Sequence, residues 1–134
     1  MNTIAELPNC GITELNPDNK SIQLKERTKT FANRVIRLFD ALPKKTTAFV
    51  LGKQALRSET SLAANYRAAC RSRFKAEFIS RTGIVAEEAD ETVLWLELMI
   101  ENRILPQHRL EPLLKEAKEL TAIFTASQTT ARRG

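Results

Sequence analysis

Three observations predict an all-α protein, an antiparallel up-and-down four-helix bundle. Glycine and proline are scarce, four and five in 134 residues, so tight turns are few and long elements are favoured over a sandwich or barrel. Apolar residues recur at three- and four-residue spacings along most of the chain, the period of an amphipathic helix. The breaks between periodic stretches are short and polar, and short connections make consecutive helices antiparallel neighbours. At this length the chain forms one domain, and 43% hydrophobic with 28% charged residues is an ordinary globular composition.

The elements follow in order. Residues 1–20 hold Pro8, Gly11 and an Asn-Pro pair at 16–17 without a sustained period, which reads as a flexible leader. The bundle occupies residues 21–126. Its first helix runs from about Ser21 to Leu42, with Leu24, Thr28, Phe31, Val35, Leu38 and Leu42 in a heptad seam that Ala32, Ile36 and Phe39 widen, and it stops at Pro43. Thr46 or Thr47 can cap the second helix, which extends to about Arg71 with Val50, Leu51, Ala55, Leu56, Leu62, Tyr66 and Ala69 apolar. Ser58, Glu59, Thr60 and Ser61 interrupt it as poor helix formers and invite a kink. A third helix from about Ser72 to Asn102 carries Phe74, Phe78, Val85, Ala89, Leu96 and Ile100 on one stripe, with Gly83 an interior weak point. Leu94, Trp95, Leu98 and Met99 make its second half apolar on several sides, which suits burial by partner subunits as well as by the bundle. Pro106 opens a fourth helix with Leu110, Leu113, Leu114, Ala117, Leu120 and Phe124, ending near Ala126 before a polar tail at 127–134.

Several function classes are disfavoured. Two cysteines, Cys10 and Cys70, far apart, do not make a disulfide framework, so a reducing, cytoplasmic setting is expected, with Cys70 a small buried side chain and Cys10 a bystander. No basic segment precedes an apolar core at the N-terminus, and no run of ~18 apolar residues occurs, so no membrane association is expected. Phosphate-binding loop, zinc-protease and paired-cysteine motifs are absent, and the single histidine, His108, has no evident partner. The carboxylates Glu87, Glu88, Asp90 and Glu91 lie on one helix without the histidines of a di-metal bundle, so they read as an acidic face. Neither an enzyme nor a metal or cofactor site is expected.

Charge is the informative feature. Residues 43–81 carry a net +7 and residues 82–126 a net −5, an asymmetry that the overall +5 conceals. Lys53, Arg57, Arg67 and Arg71 fall near multiples of the helical repeat and form one ridge, continued by Arg73, Lys75 and Arg81. Guanidinium groups suit phosphate because they stay charged and bind it bidentately. Tyr66 is the one aromatic near the ridge, available for base stacking or equally a core residue, so binding to RNA or DNA would be largely independent of sequence.

The runs LGKQALRS, TSLAANYRAACRSR and KAEFISRTGIVAEEADETVLWLELMIE resemble the bacterial four-helix-bundle proteins first recognised as reading frames inside intervening sequences of large-subunit ribosomal RNA genes. The resemblance covers about Leu24 to Phe124, with Arg57, Ser58, Ser61, Asn65, Tyr66, Arg67, Glu77, Glu88, Asp90 and Trp95 at motif positions. It implies a bundle that assembles as a closed ring, typically a homopentamer, without catalytic residues. A more distant branch is similar to the accessory variability determinant of diversity-generating retroelements, which binds nucleic acid and a reverse transcriptase through a basic surface. Glu59 departs from the family pattern, where a small residue is common, and so does Phe74, where serine is common; Glu59 would place an acid within the basic ridge. Two readings of the arginines stay open: a nucleic-acid surface, or a basic face that meets the acidic face of a neighbouring subunit and sets register, with Ser58, Ser61, Asn65, Tyr66, Glu77, Glu88, Asp90 and Trp95 as interface or structural positions.

Overall fold

A computed structural model describes residues 20–134; the expected leader, apart from Lys20, lies outside the described residues. Four helices make up the described chain, with no strand among them: α1 (Lys20–Ala41), α2 (Thr46–Ala69), α3 (Lys75–Glu101) and α4 (Gln107–Arg133). Each packs on its neighbours in sequence, α2 against α1 and α3, and α3 against α4, while α1 and α4 meet only lightly. This is the expected four-helix bundle, and its weak seam lies between the first and last helices.

The heptad seam of α1 lies in the core as its spacing requires: Leu24, Thr28, Phe31, Val35 and Leu38 are buried, and the Thr28 hydroxyl donates to the Lys25 carbonyl at 3.0 Å. Ile36 does not widen that stripe; it is exposed, as is Val50 on α2. Phe74 is 71% exposed and sits before α3, because the chain leaves α2 after Ala69 and turns through residues 70–74. Neither threonine caps α2, since both lie inside it and Lys45 occupies the cap position without a side-chain hydrogen bond. The helix continues unbroken through Ser58–Ser61, where Ser58 and Glu59 face the core.

Two close approaches fix the bundle's spacing. A β-carbon at Gly52 would collide with Leu42 and Phe39 of α1, and one at Gly83 with Gln128 of α4. The second explains why α4 does not stop at Ala126. Ser127 is buried with its hydroxyl on the Ile123 carbonyl at 2.8 Å, and Gln128 seats on Gly83, so the segment read as a tail is a packed helical end through Arg133. The α3–α4 turn is closed by Arg103 at φ 54°, with Ile104 N–H donating to Met99 O at 2.9 Å and Arg103 N–H to Ile100 O at 3.1 Å, a Schellman arrangement with buried Met99 and Ile104 in its hydrophobic positions.

Candidate functional site

Residues picked out by the sequence converge on the α2–α3 seam. Ser58 Oγ and Thr92 Oγ1 share a hydrogen bond of 2.7 Å, and each also lies within reach of a carbonyl of its own helix, Ser58 of Ala55 at 3.2 Å and Thr92 of Glu88 at 2.8 Å. Ser61 Oγ donates to Glu88 Oε2 at 2.7 Å and accepts from Asn65 Nδ2 at 3.1 Å. Arg57 closes the upper end, its guanidinium 3.3 Å from Glu88 Oε2 and 2.6 Å from Glu91 Oε1. Hydrogen bonding to Glu88 raises the Arg57 pKa, so the guanidinium stays charged. At the lower end Arg81 reaches Asn65 Oδ1 at 3.5 Å and pairs with Glu77 at 3.6 Å. This chain of contacts ties two helices at several levels, and every donor in it has a defined acceptor. Asp90 is exposed and outside it.

Glu59 is the residue that sequence reasoning misplaced. It belongs to the core rather than to the basic ridge, fully buried with both carboxylate oxygens lacking a hydrogen-bond partner. Burial, reinforced by the nearby Glu116 carboxylate, pushes its pKa up to about 9, so it is neutral at pH 7. The signal was present: Ala48, Gly52, Ala55, Glu59, Leu62, Tyr66 and Ala69 alternate at four- and three-residue spacing, and every one is buried. Tyr66 shares that seam, its ring 5.2 Å from the Phe124 ring, and burial raises its phenol pKa. It is a core residue, unavailable for stacking on bases. Trp95 is half-buried against the core with an unpartnered indole N–H. Cys70, also buried, takes part in a disulfide bond, which corrects the expectation of an unbonded cysteine there.

The seven bases of the ridge divide by environment. Arg57 and Arg81 are engaged with acids, Lys53 lies over the Phe49 ring at 5.7 Å, and Lys75 approaches the C-terminal end of α4 beside Gly134. Arg67, Arg71 and Arg73 are exposed and, among the described residues, have no acid within ion-pair distance. Arg67 and Arg71 stand between two grooves. One, of about 470 Å³, runs along α1 and is also lined by Lys25, Glu26 and Lys29; the other, of about 340 Å³, runs toward α3 and is also lined by Glu77 and Arg81. The α1 lysines escaped the sequence reading, although their four-residue spacing places them on one face. Among the described residues no three His, Cys, Asp or Glu side chains gather as metal ligands, and no helix is long and apolar enough to cross a membrane.

The model of the 23S rRNA-intervening sequence protein family matches residues 20–126, the four helices just described without the last seven residues of α4. The chain belongs to that family. A member of the S23 ribosomal protein family from Bacteroides thetaiotaomicron VPI-5482, a crystal structure described as a protein with unknown function, is 32% identical; the match covers 82% of this chain and 98% of that one, with a TM-score of 0.75. No functionally curated protein matches the sequence. The family match begins where α1 begins and ends seven residues before α4 does, so the closing contact of Gln128 on Gly83 falls outside it.

Proposed function

We propose that this member of the intervening-sequence family is a non-catalytic oligomeric bundle that binds RNA or DNA through a basic surface. The observation that carries the reading is the exposure of Arg67 and Arg71, without acid partners, between a groove bearing Lys25 and Lys29 and a groove bearing Arg81. Cations contributed by α1, by α2 and the turn after it, and by α3 match a phosphate backbone, which presents charge along a line. Recognition rests chiefly on phosphate, since Tyr66 is in the core and the arginines present charge rather than a stacking face. Retention on an RNA or DNA oligonucleotide at low salt is expected to weaken as salt rises, with a log-log slope of roughly −0.9 per duplex phosphate neutralised. Absence of retention at low salt would sink the proposal.

Self-assembly has its own support, in exposed apolar side chains. Phe49 and Phe39 pair with ring centroids 6.0 Å apart, Ile36 precedes Phe39 by a turn, and Ile36, Phe49 and Val50 are each at least 40% exposed. Such a patch on a folded domain favours a protein contact. A closed ring, a homopentamer as the resemblance implies, would cover it, and a protein partner such as a reverse transcriptase is a further occupant of the same kind of surface. Opposed charges serve this assembly less than the sequence suggested, because Arg57 already meets Glu88 and Glu91 within one chain. Sedimentation should show an oligomer at micromolar concentration that Phe49→Ser disperses; a wild-type monomer would rule out this second reading.

A further inference from the structure

The seam between α1 and α4 has two unlike ends. Near the start of α1, Arg27 is fully neutralised: its guanidinium binds Glu116 through two hydrogen bonds of 2.7 Å and Glu119 through one of 2.8 Å. Two to three turns along α1, Arg34 and Arg37 line a groove of about 380 Å³ together with Arg109, Pro112, Leu38 and Leu113. No acid lines that groove, and no side chain of the three arginines has an ion pair or hydrogen bond among the described residues. The nearest acids in sequence are Asp40, exposed on α1, and Glu111, which accepts from Gln107 at 2.6 Å.

Three guanidinium groups around one depression repel each other, and the groove's apolar floor of Leu38, Leu113 and Pro112 does not relieve that. An anion would. Arg34 is braced, its guanidinium carbon 5.9 Å from the centroid of the Phe31 ring, so less of its freedom is lost on binding. Arg109 sits in the first turn of α4, the positive end of the helix dipole, and that turn contains no acid. Because α1 and α4 pack lightly, the groove between them stays open to solvent.

We propose that this groove is a binding site for a ligand carrying clustered phosphates, of the di- or triphosphate kind, separate from the α2-centred surface assigned to nucleic-acid backbone. Each guanidinium offers a bidentate fork to a phosphate, and three arginines match two or three linked phosphates rather than one isolated charge. Titration calorimetry with inorganic tripolyphosphate, with sulfate at matched ionic strength as control, tests it on the full chain. Tripolyphosphate should bind more tightly than sulfate. The combined variant Arg34→Gln, Arg37→Gln, Arg109→Gln should weaken it by about tenfold or more, while Arg132→Gln with Arg133→Gln, at the opposite, exposed end of α4, leaves it unchanged. Circular dichroism confirms that each variant is folded, and three single substitutions substitute for the combined one should it unfold. Tripolyphosphate binding no tighter than sulfate, or indifferent to the three arginines, overturns the site. Once tripolyphosphate binds, a 5′-triphosphate RNA compared with the same RNA bearing a 5′-hydroxyl identifies the source: a preference erased by the arginine substitutions assigns an RNA end, and equal affinity assigns free polyphosphate.

Discussion

The two halves of α2 carry similar arginines in opposite circumstances. In the first half Arg57 is held by Glu88 and Glu91, and Ser58 and Ser61 bond across to α3; in the second half Arg67, and just past its end Arg71, face solvent with no ion-pair partner. The cause is the antiparallel register of α2 and α3. It brings the acidic middle of α3 beside Arg57 and the basic start of α3, with Arg81, beside Asn65 and the arginines below it. The switch from a +7 to a −5 segment falls within α3, so folding the chain back neutralises one half of α2 and concentrates charge on the other. A run of basic residues in sequence is therefore not a uniform surface.

The largest test of this contrast lies in the first half, at Glu59. Its folded pKa of about 9 exceeds the ordinary 4.5, so its contribution is favourable only while it is protonated in both states: that stability is fully present below pH 4.5 and is lost as pH rises to about 9. Glu59→Gln removes the titration. Urea unfolding should show the variant gaining on wild type by several kcal/mol between pH 5 and pH 9, on the order of the linkage for a strongly shifted buried carboxyl; parallel pH profiles would contradict the buried, neutral carboxyl. Next in size is the second half. Replacing Arg67 and Arg71 by alanine should lower nucleic-acid affinity about tenfold and reduce the salt slope by nearly two on duplex DNA, while leaving the melting temperature almost unchanged. Arg57→Ala should do the reverse, costing roughly 0.5–1 kcal/mol of stability because its guanidinium is half-exposed, with little loss of binding. If Arg57→Ala and Arg67→Ala prove interchangeable in both assays, the two halves are not distinct. Ser58→Ala should cost about 1 kcal/mol, since Thr92 keeps its bond to the Glu88 carbonyl while the interhelical bond and the contact of Ser58 with the Ala55 carbonyl are lost. The smallest effect is a control outside both halves. Arg103→Gly relieves a left-handed backbone and should raise stability by about 0.5 kcal/mol in thermal melts, with no effect on binding.

The helices were legible because local rules govern them. Leu24 to Leu38 kept its heptad spacing into the core, and three breaks in periodicity separate the four helices. The errors came from reading residue types before register. Glu59 and Ser58 looked like a polar interruption, yet they occupy seam and near-seam positions and are buried. Val50, Ile36 and Phe74 are apolar by type but fall off the seam, and they are exposed. At the chain's end, polar composition concealed a helical end that Gly83 makes room for on the facing helix.

The sequence by itself determined that this is a helical bundle of a recognisable family, because periodicity and punctuation act over a few residues and survive in one dimension. It also determined the total of opposed charge. Only the tertiary structure decided which charges meet. Register between antiparallel helices places Glu88 against Arg57 and Glu116 against Arg27, and leaves Arg67, Arg71 and the Arg34–Arg37–Arg109 groove without an acid at ion-pair distance among the described residues. Coulombic attraction depends on distance across the fold, and residues dozens of positions apart in sequence acquire that distance only when the chain has packed.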